Sequence, residues 1–201
     1  EYEDYLEITH SSGEISFLKS GGYTGMGDVA GHPARQAIEF AVANRLVDGY
    51  SDSKFRPNSY LRRSELAQYL VMGTSVRQSL PFDGVASFAD MDTTNAAYPF
   101  AESAVAQGAP LRDLGQRQDG VMGLLNGEYR ANDYVTRVTL AYSLVQSMAL
   151  QAEARSFDGQ LTAFYDGKRI PIDDAASIAP ALRGYLQLAL DQGLMNARFT
   201  L

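Results

Sequence analysis

The chain has 201 residues, 45% of them apolar, and a formal net charge of −7. That acidic balance argues against a nucleic-acid partner, because phosphate recognition needs a basic footprint. The absence of cysteine removes disulfide frameworks, thiolate zinc sites and cysteine nucleophiles, and no stretch reaches the roughly 18–20 apolar residues of a membrane span.

In chain order, residues 1–23 come first. Apolar positions alternate from Leu6 to Thr9 and from Glu14 to Leu18 around Ser11-Ser12-Gly13, which predicts a β-hairpin. The Gly-rich run from Gly21 to Gly27 reads as a linker. A start at Glu1, with no signal-like apolar stretch, reads as an excised piece of a longer polypeptide.

A first unit spans 24–78. Pro33 suits the first turn of a helix, and Ala37, Ile38, Ala41, Val42 and Leu46 share one helical face. Gly49 is expected to take the left-handed conformation that ends this helix. A loop through Pro57 leads to a second helix from about Arg63, with Leu66, Tyr69, Leu70 and Val71 as its apolar stripe.

A second unit, 84–153, opens at Phe88-Ala89-Asp90-Met91. It predicts helices from Pro99 to about Gln107 and from Val138 to about Ala152. The irregular stretch between them, from Gly108 to about Val121, reads as an inserted surface loop. A third, partial unit spans 158–201. Asp166-Gly167 between two apolar runs is a type I′ hairpin signal, and a helix follows from about Ile178 to Gln192. Its tail, Ala189 to Met195, parallels Ala41 to Val47, but the unit reads as lacking the closing helix of the other two.

The segment from Asp52 to Arg63 is echoed from Asn126 to Arg137. Both run turn, aromatic, Arg, spacer, Asn, Tyr, aliphatic, polar, Arg, and both lead into an apolar helical pattern. Matched segments imply one supersecondary unit used repeatedly, and point away from a single catalytic cleft.

These residues resemble the S-layer homology family. The first repeat carries Gly27-Asp28-Val29, His32-Pro33-Ala34, Ala37-Ile38, the run Leu46 to Asp52, Phe55-Arg56-Pro57-Asn58 and Leu61-Arg62-Arg63-Ser64-Glu65. The second keeps Phe88, Asp90, Asn126-Gly127, Tyr129 and Val135-Thr136-Arg137. The third keeps only its helix and Gly193 to Asn196. Pro33 stands where the family usually has Trp, Arg62 where it has Thr, and Thr139 where it has Glu. The resemblance implies a mainly α fold of three helix–loop–helix units around a pseudo-threefold axis. It also implies a non-catalytic region of a secreted bacterial protein, such as an exported hydrolase, that attaches it to cell-wall polysaccharide, often a pyruvylated glycan.

Arg63 and Arg137 sit in the first helical turn, where a cation opposes the helix dipole. An Arg fork beside free helix N–H groups suits a carboxylate. On the family reading they grip the acidic group of the glycan, Asp28 and Asp90 orient the groove, and Tyr50 with Gly49 lines it. Lys54, with Arg56 and Arg62, adds a local basic cluster. The alternative is that these arginines pair with Asp28 and Asp90, or brace the loop.

Tyr50, Phe55, Tyr60, Tyr129 and Tyr134 are expected mostly to plug gaps between helices, with Tyr50 the best sugar-stacking candidate. The oxygen-rich run Asp90 to Asn95 resembles a calcium loop but lacks the Gly and distal Glu, so helix capping is the better reading. No catalytic triad, phosphate loop, zinc spacing or cofactor motif is present. The partners expected are wall polysaccharide and an upstream domain of the same polypeptide, with possible homo-oligomers. Two further readings stay open: an interaction module that packs on that upstream domain or oligomerises, and a glycosidase groove with two converging carboxylates.

Overall fold

The structure, a computed structural model, describes residues 5–9, 15–19, 26–47, 49–50, 52, 54–73, 76, 78–81, 83–108 and 118–198. Strands β1 (Tyr5–Thr9) and β2 (Ile15–Lys19) pair antiparallel, Tyr5 opposite Lys19 and Thr9 opposite Ile15. The hairpin expected in the first 23 residues is present as backbone. Its turn, and most of the Gly-rich run, lie outside the described residues.

Helix α1 (Arg35–Ala43) buries Ile38 and Val42, one turn apart. They pack on Met26, Val29, Val47 and Phe55. Ala37, expected on the same face, is exposed. Pro33 lies in the turn before the helix, where the Ala34 amide donates to His32 Nδ1 at 3.1 Å. The helix ends on Arg45, not Gly49. Arg45 has φ 59°, and Leu46 N–H returns to the Ala41 carbonyl while Arg45 N–H returns to that of Val42. This is the paired closure that a left-handed residue permits after a helix.

Helix α2 (Arg63–Gly73) presents Leu66, Ala67 and Leu70 to α3 (Tyr98–Val105), whose Ala101 and Ala104 are fully buried. Small side chains there let the two helices approach closely. Phe88, Met91, Val121, Met122 and Tyr129 complete this core. The predicted surface loop is therefore corrected at its end, because Gln118, Val121 and Met122 are buried. Residues 109–117 lie outside the described residues.

Helix α4 (Arg137–Ser147) stops at Ala149, φ 59°, and a short α5 (Gln151–Ser156) follows. One continuous helix to Ala152 was expected. Contacts with segment 118–120 override that periodicity: Gln146 Nε2 donates to the carbonyls of Asp119 and Gly120, and Gln151 Oε1 accepts the Asp119 amide. Ala141, Val145 and Ala154 from these helices pack on Tyr185 and Ala189 of α6 (Pro180–Asp191). Strands β3 (Thr162–Tyr165) and β4 (Lys168–Pro171) form the second hairpin. Its turn residues Asp166 and Gly167, at φ 46° and 74°, have the type I′ signature.

The chain is thus mainly helical with two separate two-stranded sheets. Among the described residues, no helix is long and apolar enough to cross a membrane.

Candidate functional site

The two matched loops are shaped by the same clasp. Asp28 Oδ1 accepts the Phe55 amide at 3.1 Å and Oδ2 the Arg56 amide at 2.7 Å. Asp90 accepts the amides of Tyr129 and Arg130, both at 2.7 Å. Arg56 and Arg130 are left-handed, at φ 59° and 58°, and their carbonyls accept the amides of Ser59 and Asp133. Burial pushes both carboxyls up, but the amide donors outweigh it and hold them below the ordinary 3.8. Asp28 and Asp90 therefore organise loops rather than pair with the helix-start arginines.

Arg63 was expected to offer its guanidinium to a ligand. It is instead 4% exposed. Nε donates to the Tyr129 carbonyl at 2.7 Å and Nη2 to the Gly123 carbonyl at 2.6 Å, and the group stands 5.1 Å from the Tyr129 ring centre. Burial lowers its pKa from the ordinary guanidinium value, while nearby Tyr129 and Asp133 act the other way. Tyr129 returns a hydrogen bond from its hydroxyl to the Arg63 carbonyl at 3.0 Å. Arg63 thus braces the start of α2 against segment 123–129. Arg137, in the equivalent position, is exposed and donates from Nη2 to the Asn196 carbonyl, beyond α6. Each helix-start arginine reaches a backbone carbonyl about sixty residues further along the chain.

Gly49 is buried, and a Cβ there would meet the Met26 methyl at 1.8 Å and the Lys54 carbonyl oxygen at 3.2 Å. Size, not a positive φ, selects glycine. Tyr50, half-buried, donates from its hydroxyl to Glu65 Oε1 at 2.8 Å and carries the Arg56 guanidinium 4.0 Å over its ring. Glu65 Oε2 accepts the Arg62 amide at 2.7 Å, which is the acid half of a capping box. The second unit has the hydroxyl half: Thr136 Oγ1 accepts the Thr139 amide at 3.1 Å. Lys54 is exposed, with Nζ 3.9 Å from Asp52.

The aromatics divide. Tyr129 is fully buried and Phe55 packs on the first core. Tyr60 and Tyr134 are 78% and 59% exposed, a correction to the gap-filling role expected of them. Both precede the aliphatic residue that turns inward, Leu61 or Val135. In an extended segment neighbouring side chains point to opposite sides, so that alternation was the available signal.

The oxygens of the calcium-like run close local turns ahead of α3, whose first turn has no side-chain cap, so the capping expected of them is corrected. Asp92 Oδ1 accepts the Thr94 amide at 2.8 Å and Asn95 Oδ1 the Ala97 amide at 2.9 Å. Among the described residues, no group of three or more acidic, His or Cys side chains could hold a metal. A cleft of about 520 Å³ has both Glu102 and Asp119 in its lining. Glu102 accepts the Ser87 amide and hydroxyl, each at 2.7 Å, and Asp119 pairs with Arg155. Both carboxylates in that cleft are engaged by the protein.

Comparison with curated proteins returns no match. Comparison with protein families matches residues 26–67 to the S-layer homology domain. That segment runs from the Asp28 turn through α1 and the Tyr50 loop into α2. Such domains are non-catalytic cell-wall anchoring modules that bind cell-wall polysaccharide and associate with the cell envelope. The likeness to the S-layer homology domain is thus shown for residues 26–67, the segment that holds the first of the two matched loops.

Proposed function

We propose that the chain retains a secreted protein, such as an exported hydrolase, at the cell surface by binding an acidic, pyruvylated wall polysaccharide. The observation that carries this reading is the family match over the segment holding Asp28, Gly49, Tyr50 and Lys54. Lys54 and Arg137 are exposed cations suited to the acidic groups, and the half-buried Tyr50 gives the loop an aromatic wall. Asp28, Asp90 and Gly49 hold the loops in shape. Arg63 acts as a positioning residue behind them.

Co-sedimentation with purified bacterial walls tests the reading. The protein should pellet with walls that retain pyruvylated polysaccharide. It should stay in solution with walls stripped of that polymer, and pellet less with polymer lacking the pyruvyl group. Failure to pellet with the intact walls overturns the proposal. The exposed Phe164, Tyr165 and Ile170 on the β3–β4 hairpin favour a second reading, a protein-interaction module. Light scattering that finds only monomer at all concentrations counts against its oligomeric form.

A further inference from the structure

Tyr60 and Tyr134 occupy the same position in the two matched loops, and the fold brings them together. Their rings lie 5.2 Å apart, tilted by 41°. The loops beneath are tied backbone to backbone: Val135 N–H donates to the Leu61 carbonyl at 2.8 Å, Arg63 N–H to that of Asp133 at 2.9 Å, and Ser64 N–H to that of Ala131 at 3.0 Å. Arg62 and Tyr134 form a bridge across the junction. Two aromatic faces are thus held in fixed relation on solvent-facing backbone.

The polar surroundings are equally defined. Arg62, exposed, donates from Nη1 to Asn132 Oδ1 at 3.0 Å, from the matching loop. Among the described residues it has no carboxylate partner. The acids beside Asn132 and Arg62 in their own loops are already engaged: Asp133 with Arg130 at 2.7 Å, and Glu65 with the Tyr50 hydroxyl and the Arg62 amide. In a chain of net charge −7, the junction therefore offers two ring faces, an amide and an uncompensated guanidinium side by side.

We propose that this junction is a saccharide platform. One sugar ring of an acidic polysaccharide lies on the Tyr60–Tyr134 pair through its C–H face, and its carboxylate is held by Arg62, with Asn132 bonding a ring hydroxyl. A guanidinium with open N–H groups is the natural partner of a carboxylate. A tyrosine pair supplies rigid, amphipathic contact area at low entropic cost. The platform is distinct from the Tyr50–Lys54 surface, and its choice of ligand rests on the anchoring function proposed above.

The test compares wild type, Y60A/Y134A, R62Q and K54A in binding to purified pyruvylated wall polysaccharide by titration calorimetry. Thermal melts control for folding, which should be little changed because the rings are exposed. Y60A/Y134A should bind about tenfold more weakly, and R62Q should lose affinity for the pyruvylated polymer but not for its depyruvylated form. If wild type and Y60A/Y134A bind equally, the platform is overturned while anchoring stands. If wild type itself does not bind, both fail. Concentration-dependent sedimentation that disappears in Y60A/Y134A would assign the rings to a second copy of the chain and overturn the saccharide role.

Discussion

Arg63 shows how a residue type can be read correctly and its duty missed. Its guanidinium satisfies two carbonyls in a closed site, so truncation leaves those acceptors unpaired and opens a cavity. Arg63→Ala is expected to destabilise the protein by about 3 kcal/mol in chemical denaturation. Arg137→Ala, at an exposed position, should cost under about 1 kcal/mol. Equal losses would refute the distinction. The carboxylate clasps give a pH prediction. Asp28 and Asp90 have folded pKa values below the ordinary 3.8, so their contribution is complete above that value and is lost as pH falls through the lower, folded one. Asp90→Asn should reduce stability at pH 7 and flatten the acid limb of the stability curve below about pH 4, measured by urea midpoints across pH. An acid limb as steep as that of wild type would rule this out.

Among the elements, the helix ends carry the clearest strain. Arg45 and Ala149 hold the left-handed position that Gly193 fills after α6, and side chains pay a steric penalty there. Ala149→Gly should raise stability by about 1 kcal/mol, seen as a higher melting temperature. At the α5–α6 crossing the reverse applies. A Cβ on Gly184 would lie 1.8 Å from the Ala154 carbonyl oxygen, which is backbone and cannot step aside. Gly184→Ala should therefore destabilise by about 2–3 kcal/mol. The main helices, both hairpins and the capping halves at Glu65 and Thr136 were legible, because periodicity, Asp-Gly and hydroxyl or acid spacing act locally. The α4 break was not. It depends on Gln146 and Gln151 meeting Asp119 and Gly120, a contact that no local pattern encodes. Gly49 was identified as a special position, but for the wrong physical reason.

For the whole molecule, the cores do not follow the repeat boundaries. Helix α2 shares its core with α3, and α4 shares one with α6, across the boundaries expected from the sequence. An isolated fragment 24–78 would expose Leu66, Ala67 and Leu70. It should show little helix by circular dichroism, whereas the 201-residue chain folds; a well-folded fragment would contradict the shared-core reading. The repeated loops were visible in sequence and so was their resemblance to a wall-binding family. Their mutual pairing was not, because it joins positions some seventy residues apart, such as Arg62 and Asn132.

The aspartate clasps close over very different stretches of chain. Asp28 and Phe55 are 27 positions apart, whereas Asp90 and Tyr129 are 39 apart, yet the grip is the same. A fastening that takes hold only at its two ends is indifferent to how much polypeptide it encircles. The length between the two ends can therefore differ from one loop to the other, so long as the helix inside each span, α1 in the shorter and α3 in the longer, keeps its place in the core.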